Sequence, residues 1–229
     1  MKEIKFFTEF DFIDIPKPAI KYIPEWYKKT QSDISIDNGG SIYRADDKRT
    51  FKTCIPFFDS MTSGYIHELW SDIQVIKNTS ITWNENLPTE VFSTKPLGSI
   101  GQMEIPAGYS NDIYSFKHNL YIKTPPGYSL LITQPFNRTD LPFYALSGIV
   151  DCDINPMFPG AYPVFLKKDF DGIIKRGTPM LQIIPFKRDS WISKKDKDAA
   201  EKGSLAQRIA STVFDSWYKK TSWTRKDYR

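Results

Sequence analysis

Gly127-Tyr-Ser-Leu-Leu-Ile-Thr-Gln-Pro-Phe136 opens the stretch that decides the fold, which runs over residues 125–188. Three similar segments follow it, at residues 143–153, 161–168 and 172–186. Each is short, rich in β-branched or aromatic residues, and bounded by proline, glycine or other turn-forming residues. This pattern is typical of strands in a sandwich or barrel, so the sequence predicts a mainly β, jelly-roll-like fold.

The composition agrees with many short strands in one large domain. Of the 229 residues, 40% are hydrophobic and 15% aromatic, which is ample for a packed core. The 16 prolines disfavour long helices and continuous strands. Residues 1–192 are therefore interpreted as a β-sandwich domain that includes an N-terminal strand and short helices near Pro24 and Phe57.

Residues 193–229 are interpreted as a C-terminal helix, from Ser193 to Lys220, and a basic tail packed on the sandwich. Leu205, Ile209 and Val213 recur every four residues and predict one apolar helix face. The chain's net charge is +4, and Lys and Arg outnumber Asp and Glu from residue 187 onward. A basic, aromatic tail can bind single-stranded nucleic acid. A docked helix with a solvated basic face explains the same residues, so no nucleic-acid partner is expected.

The cysteines and the apolar segments of the sequence indicate the cellular compartment of the protein. Cys54 and Cys152 fit neither a metal-binding spacing nor a secreted disulfide framework. The N-terminus lacks the apolar stretch of a signal peptide. No window approaches 18 consecutive apolar residues, so we expect no membrane partner and no secretion.

Polar residues inside the central stretch are the candidates for ligand binding. Gln134, Asn137 and Arg138 form a polar loop after an apolar strand, and such groups suit a ligand with oxygen acceptors. Asp151 and Asp153 have the two-residue spacing that places both carboxylates on one face of a strand. We expect Gln134 and Arg138 to face these two carboxylates across one polar site.

Two other constellations are weaker. Asp169 and Asp171 share the same spacing, but paired aspartates at strand ends are more often turn formers. An iron site of the facial-triad kind would need His67, Asp72 and His118 around one point. The odd spacing of the first two is wrong for one face of a regular strand. The sequence therefore predicts no metal site, no catalytic residue and no cofactor.

Four stretches carry a resemblance to a known family: Cys54-Ile-Pro-Phe-Phe-Asp-Ser-Met-Thr-Ser-Gly-Tyr65, residues 126–135, residues 148–153 and Gly177-Thr-Pro-Met-Leu-Gln-Ile-Ile-Pro-Phe-Lys-Arg188. Through them, nearly the whole chain resembles a family of uncharacterised tailed-bacteriophage proteins, marine cyanophages included. Residues 23–29 and the C-terminal helix fit as well. The resemblance implies a phage origin and brings no activity with it.

A second resemblance concerns the order of strands. A Pro-Gly strand, then Gly148-Ile-Val-Asp151, then Gly177-Thr-Pro-Met-Leu-Gln-Ile183 is similar to the β-clip fold of dUTPase and dCTP deaminase. The Ser-rich loop and glycine-rich tyrosine region of those enzymes are not recognisable here. The resemblance therefore implies a similar order of strands, but it does not imply the catalytic activity of those enzymes.

The sequence leads to one functional hypothesis and one alternative. The first is a non-enzymatic phage protein, a virion component or a binding protein made during infection, in the virion or the host cytoplasm. Its expected partners are other phage proteins or a small polar ligand, and homo-oligomers are compatible with the sequence. The alternative is a nucleotide or small-molecule enzyme, or a sequestering protein, that uses the central polar residues.

Overall fold

The computed structural model describes residues 2–32, 50–77, 80–94, 103–154, 160–196, 203–204 and 217–229. The chain divides into two compact units. The first comprises Met1–Pro24, Ser60–Arg188 and Tyr228–Arg229, and the second comprises Glu25–Asp59 and Asp189–Asp227. The domain boundary placed between residues 192 and 193 stays a prediction, since the second unit also draws on a segment near the N-terminus.

The described residues form short strands and a few short α-helices, as the proline content predicts. In chain order they are β1 Lys5–Phe7, β2 Lys17–Pro18, α1 Glu25–Lys29, α2 Ile55–Thr62, β3 Tyr65–Glu68, β4 Ile73–Ile76, β5 Ser80–Trp83, β6 Phe92–Thr94, β7 Tyr109–Lys117, β8 Tyr121–Lys123, β9 Tyr128–Thr133, β10 Phe143–Ala145, β11 Gly148–Val150, β12 Ala161–Lys167, β13 Gly172–Ile174, β14 Pro179–Lys187 and α3 Trp217–Thr221.

Two larger antiparallel sheets build the first unit. One has the strand order β10-β12-β7-β6, and the other has the order β11-β9-β14-β3-β2. Phe116 and Val164 from the first sheet join Ile132 and Leu181 from the second in one buried cluster. Sheets that share a core in this way form a sandwich. The mainly β fold class predicted from the sequence is therefore confirmed.

Three extended segments of the chain each pass from one sheet to another, and two of them, residues 143–153 and 172–186, were predicted as single strands. Residues 143–153 divide into β10 and β11, and residues 65–77 divide into β3 and β4. Residues 172–186 divide likewise into β13 and β14, and β13, β4 and β5 form a separate three-stranded sheet. The segment between β3 and β4 is hydrogen-bonded to the segment between β13 and β14. Leu69 N donates to Thr178 O (2.7 Å), and Gly177 N donates to Leu69 O (2.8 Å).

The predicted helices near Pro24 and Phe57 correspond to α1 and α2. The predicted C-terminal helix is represented by α3, whereas residues 193–196 are not helical. A start at Ser193 is therefore wrong. The apolar face formed by Leu205, Ile209 and Val213 lies outside the described residues.

Gly64 follows α2 and makes the turn into β3 possible. Its φ angle is +73°, in the left-handed region that glycine adopts without steric cost. A Cβ atom at this position would lie 2.1 Å from the carbonyl oxygen of Ile183. The backbone of β14 therefore approaches so closely that only glycine fits.

We expect Gly64→Ala to lower the free energy of unfolding by about 3 kcal/mol or more, since a left-handed backbone and a clash with a fixed strand act together. Gly127→Ala is the matched control, because Gly127 has φ +79° and no atom within 4 Å of the added Cβ. That variant should lose only about 1 kcal/mol. Equal losses in urea denaturation would contradict the close approach at Gly64.

Candidate functional site

The five predicted site residues lie at opposite ends of β9. Because β11 pairs antiparallel with β9, Asp151 and Asp153 follow β11 beside the residue where β9 begins. Gln134, Asn137 and Arg138 follow the residue where β9 ends. A strand of this length spans roughly 17–20 Å. The hypothesis of one polar site in which Gln134 and Arg138 face the two aspartates is therefore wrong.

Asp151 and Asp153 both contact Arg188. Neither lies on a strand, since β11 ends at Val150, so the expectation that they share one face of a strand stays a prediction. Arg188 Nη1 lies 3.2 Å from Asp151 Oδ1 and 3.0 Å from Asp153 Oδ1. Ser129 Oγ donates to Asp151 Oδ1 (2.5 Å), and Gly127 N donates to Asp153 Oδ2 (2.9 Å). The Asp153 side chain is 5% exposed, whereas that of Asp151 is 63% exposed.

This ion-pair cluster closes the ends of two strands. Arg188 follows β14, and its backbone N donates to Gly127 O (2.9 Å), just before β9. The Arg188 guanidinium, together with the Gly127 N–H, holds the pKa of Asp153 far below its usual range. Asp153 is therefore a permanent anion that is satisfied within the protein. The sequence reasoning missed Arg188 as its partner.

Gln134, at the other end of β9, holds the outer edge of β10. Its Nε2 donates to Phe143 O (3.3 Å), and its Oε1 accepts from Ala145 N (2.7 Å). These two bonds imitate the pairing of a neighbouring strand on both sides of Tyr144. Gln134 therefore fixes the position of Tyr144, and its amide is engaged on both sides.

Asn137 and Arg138 are also held by the protein. Asn137 has φ +60°, and its Nδ2 donates to Ser60 Oγ (2.9 Å). Arg138 Nε and Nη2 donate to the two carboxylate oxygens of Asp140, both at 2.8 Å, and Nη1 donates to Tyr22 O (3.4 Å). All three guanidinium nitrogens thus donate hydrogen bonds inside the first unit. The loop is rigid and its charge is neutralised.

The loop of residues 134–139 forms one wall of a cleft of about 400 Å³, which we call the tyrosine cleft. Tyr109 and Tyr144 form another wall, and Thr133 and Ser147 add hydroxyl groups. The two tyrosine rings lie 5.9 Å apart, centre to centre, and are tilted by 54°. Thr133 Oγ1 and Ser147 Oγ share a hydrogen bond of 2.6 Å. Burial, and then the neighbouring Tyr144, raises the pKa of Tyr109, which keeps its phenol protonated.

Two further clefts, of about 470 and 280 Å³, border Trp83 of β5. The larger one contains Glu85 and Glu90, which are both exposed. Around the tyrosine cleft, the side chains of Thr133 and Ser147 and those of the loop are held by hydrogen bonds. This cleft is therefore the stronger candidate for a binding site, and it includes three of the five predicted residues.

Gln182 anchors the loop of the cleft to the core. It is fully buried on β14, and its Oε1 accepts from Phe136 N (2.8 Å). Its Nε2 donates to Ser60 O (2.8 Å) and Ser63 O (2.7 Å), two carbonyls at the end of α2. One side chain thus satisfies the loop and the end of the helix together.

The two histidines are buried and lie next to each other. His67 Nε2 donates to His118 O (3.0 Å), while both ring nitrogens of His118 face backbone N–H groups, of Leu120 (3.1 Å) and Gly160 (3.0 Å). Burial first, and the neighbouring His118 second, lower the pKa of His67 to about 3. Burial alone lowers the pKa of His118 to about 4. Both rings are therefore neutral at physiological pH.

The facial triad considered from the sequence does not assemble. Asp72 bonds with Lys175 Nζ (2.9 Å) and Arg176 N (2.7 Å) on the surface, away from the buried histidines. Within the described part of the chain, no three His, Cys, Asp or Glu side chains converge on a point where a metal could bind. Asp169 has φ +63°, as expected for a turn-forming residue.

Compared with known proteins, the chain matches no family model and no curated protein sequence. Among the helices in the described residues, none combines the length and apolar character needed to cross a membrane.

We expect Gln182→Met to lower the free energy of unfolding by about 3 kcal/mol, since three buried hydrogen-bonding groups lose their partner at about 1 kcal/mol each. Gln74→Met is the matched control, because Gln74 is exposed on β4. It should change stability by less than about 0.5 kcal/mol. Urea denaturation measures both, and an equal effect would show that Gln182 is not the anchor.

Acid should destabilise the protein through its histidines. As pH falls below 6.5, the histidines of the unfolded chain become protonated. In the folded protein, His118 is protonated only near pH 4 and His67 only near pH 3. The histidines therefore do not lower the free energy of unfolding above pH 6.5. Below that pH, the free energy of unfolding falls by about 1.4 kcal/mol per pH unit for each histidine. Urea denaturation between pH 7 and pH 4.5 should show a shallower dependence in His67→Gln. Tyr121→Phe serves as the control, and an unchanged slope in His67→Gln would refute the assignment.

Proposed function

We propose that this chain is a non-enzymatic binding protein and that the tyrosine cleft holds a small polar ligand. One observation carries the proposal: the polar side chains of the cleft are fixed by the protein's own hydrogen bonds. Gln134 is bonded to β10, Asn137 to Ser60, and Arg138 to Asp140. A site fixed in this way loses little conformational entropy on binding. Its volume of about 400 Å³ lies in the usual range for small-molecule sites.

The chemistry of the carboxylates favours binding over catalysis. A general acid or base works best when its pKa lies near the working pH. The pKa of Asp153 is shifted in the opposite direction by Arg188. The alternative enzyme needed Gln134 and Arg138 beside Asp151 and Asp153, and these residues lie at opposite ends of β9. The enzyme alternative therefore lacks the shared site that it needs.

A nucleotide phosphate is a poor match for the tyrosine cleft. Phosphates are bound by cationic side chains or helix N-termini with donors directed at the ligand. Arg138 is the charged side chain that lines this cleft in the described part of the chain, and each of its three nitrogens already donates within the protein. We therefore propose a neutral ligand.

The resemblance to tailed-bacteriophage proteins supports a role either in the virion or in the infected cell. Under this proposal, other phage proteins are the natural macromolecular partners. Mass spectrometry of purified virions of the source phage separates the two settings. Presence in particles supports a virion component, and presence only in infected cells supports a binding protein made during infection.

In a thermal-shift screen, we expect neutral polar compounds to stabilise the protein, whereas inorganic phosphate and nucleoside monophosphates should not. A ligand at a hundred times its Kd adds about 2.7 kcal/mol of stability. Tyr144→Ala should reduce this stabilisation by about half, while Asp151→Asn, at the other end of β9, should retain it in full.

Turnover of a nucleotide or sugar that is lost in Asp151→Asn or Asp153→Asn would overturn the proposal. The proposal would also be overturned if the stabilisation disappeared in Asp151→Asn and was undiminished in Tyr144→Ala. The ligand would then lie at the start of β9, outside the tyrosine cleft.

A further inference from the structure

We propose that the ligand of the tyrosine cleft is a sugar ring, either a free neutral monosaccharide or one unit of a glycan. This inference rests on the proposed binding function and adds the chemical class of the ligand. It is supported by the aromatic wall, the hydroxyl groups beside it and the neutral charge of the cleft.

The aromatic wall suits a ligand that has one apolar face. Tyr109 begins β7 and Tyr144 lies on β10, on either side of β12 in the same sheet. Their rings touch at an angle of 54°, so they form one bent surface and not a slot with parallel sides. A flat nucleobase gains most from a slot that covers both of its faces. A pyranose ring instead presents C–H groups on one face, and these pack on the electron-rich face of an aromatic ring.

The polar side of the cleft suits a ligand whose edge carries hydroxyl groups. Thr133 Oγ1 and Ser147 Oγ are 2.6 Å apart, and each hydroxyl can both donate and accept. A pair of neighbouring sugar hydroxyls has the same double capacity. The raised pKa of Tyr109 leaves its phenol as a further donor and acceptor. Ser147 is exposed, so a ligand can reach this pair from solvent.

The charge of the cleft excludes the common anionic ligands. Arg138 and Asp140 neutralise each other through two bonds of 2.8 Å. A carboxylate or phosphate that bound the remaining N–H groups of Arg138 would lie close to the Asp140 carboxylate, which would repel it. A neutral sugar has no unfavourable interaction with the Arg138–Asp140 pair. Its hydroxyl groups exchange hydrogen bonds with water for hydrogen bonds with protein hydroxyls at little cost.

The experiment uses the full chain with methyl glycosides of glucose, galactose, mannose and N-acetylglucosamine as probes. Uridine, adenosine and glycinamide serve as neutral probes without a pyranose ring. Saturation-transfer NMR and calorimetric titration should detect at least one glycoside, with saturation strongest on the C–H protons of one ring face.

Four variants locate the binding. Tyr144→Ala should weaken the affinity about tenfold, because a ring contact is lost. Tyr144→Phe keeps the ring and should stay within about threefold of the native affinity. Ser147→Ala removes one exposed hydroxyl and should cost about fivefold. Tyr121→Ala, on β8 and outside the cleft, should change nothing. Since Ser147 is exposed and Tyr144→Phe is conservative, the test does not depend on whether Tyr144→Ala folds.

The outcomes separate this inference from the proposed function. If uridine, adenosine or glycinamide binds with dependence on Tyr144 while no glycoside binds, the binding function stands and the sugar inference is overturned. If a glycoside binds but all four variants retain native affinity, the sugar lies elsewhere and this inference is overturned as well. If no neutral probe binds, both proposals fail.

Discussion

The buried amide of Gln182 is the interaction on which the rest of the first unit depends. A fully buried amide must have its donors and its acceptor satisfied, because an unpaired one costs about 1–3 kcal/mol. Gln182 meets this demand by joining the end of α2 to the loop that follows β9. Gly64 lets the backbone of β14 come close enough for these bonds. One buried side chain therefore fixes the loop of the cleft to β14 and to the end of α2.

The fold class could be predicted because it depends on local features of the sequence. Proline, glycine and β-branched residues mark short strands without reference to any partner. Pairing could not be predicted in the same way. Residues 143–153 read as one strand, yet Leu146 and Ser147 separate β10 from β11 without a proline or glycine between them. Sequence patterns report which residues are extended, whereas the choice of sheet depends on contacts with distant strands.

The candidate site was predictable only within one segment. The two-residue spacing of Asp151 and Asp153 suggested that their carboxylates lie near each other, and Arg188 contacts both. The expectation that they face Gln134 failed because antiparallel pairing carries the end of one strand to the start of its neighbour. The tyrosines of the cleft were missed because an aromatic residue in a strand looks the same whether it faces the core or a cleft. Their positions follow only from sheet register.

The strength of the internal bonds distinguishes the end of β9 that we propose as a ligand site from the end that holds the fold together. At the start of β9, Arg188 and the largely buried Asp153 form a charged pair. A ligand that bound Arg188 in place of Asp153 would leave this carboxylate, whose side chain is 5% exposed, without its charged partner. At the end of β9, the exposed Ser147 hydroxyl shares a hydrogen bond with the buried Thr133 hydroxyl. A hydroxyl pair can turn toward a new partner for about 1 kcal/mol or less. Ligand exchange is therefore compatible with stability at the tyrosine cleft and incompatible with it at Arg188.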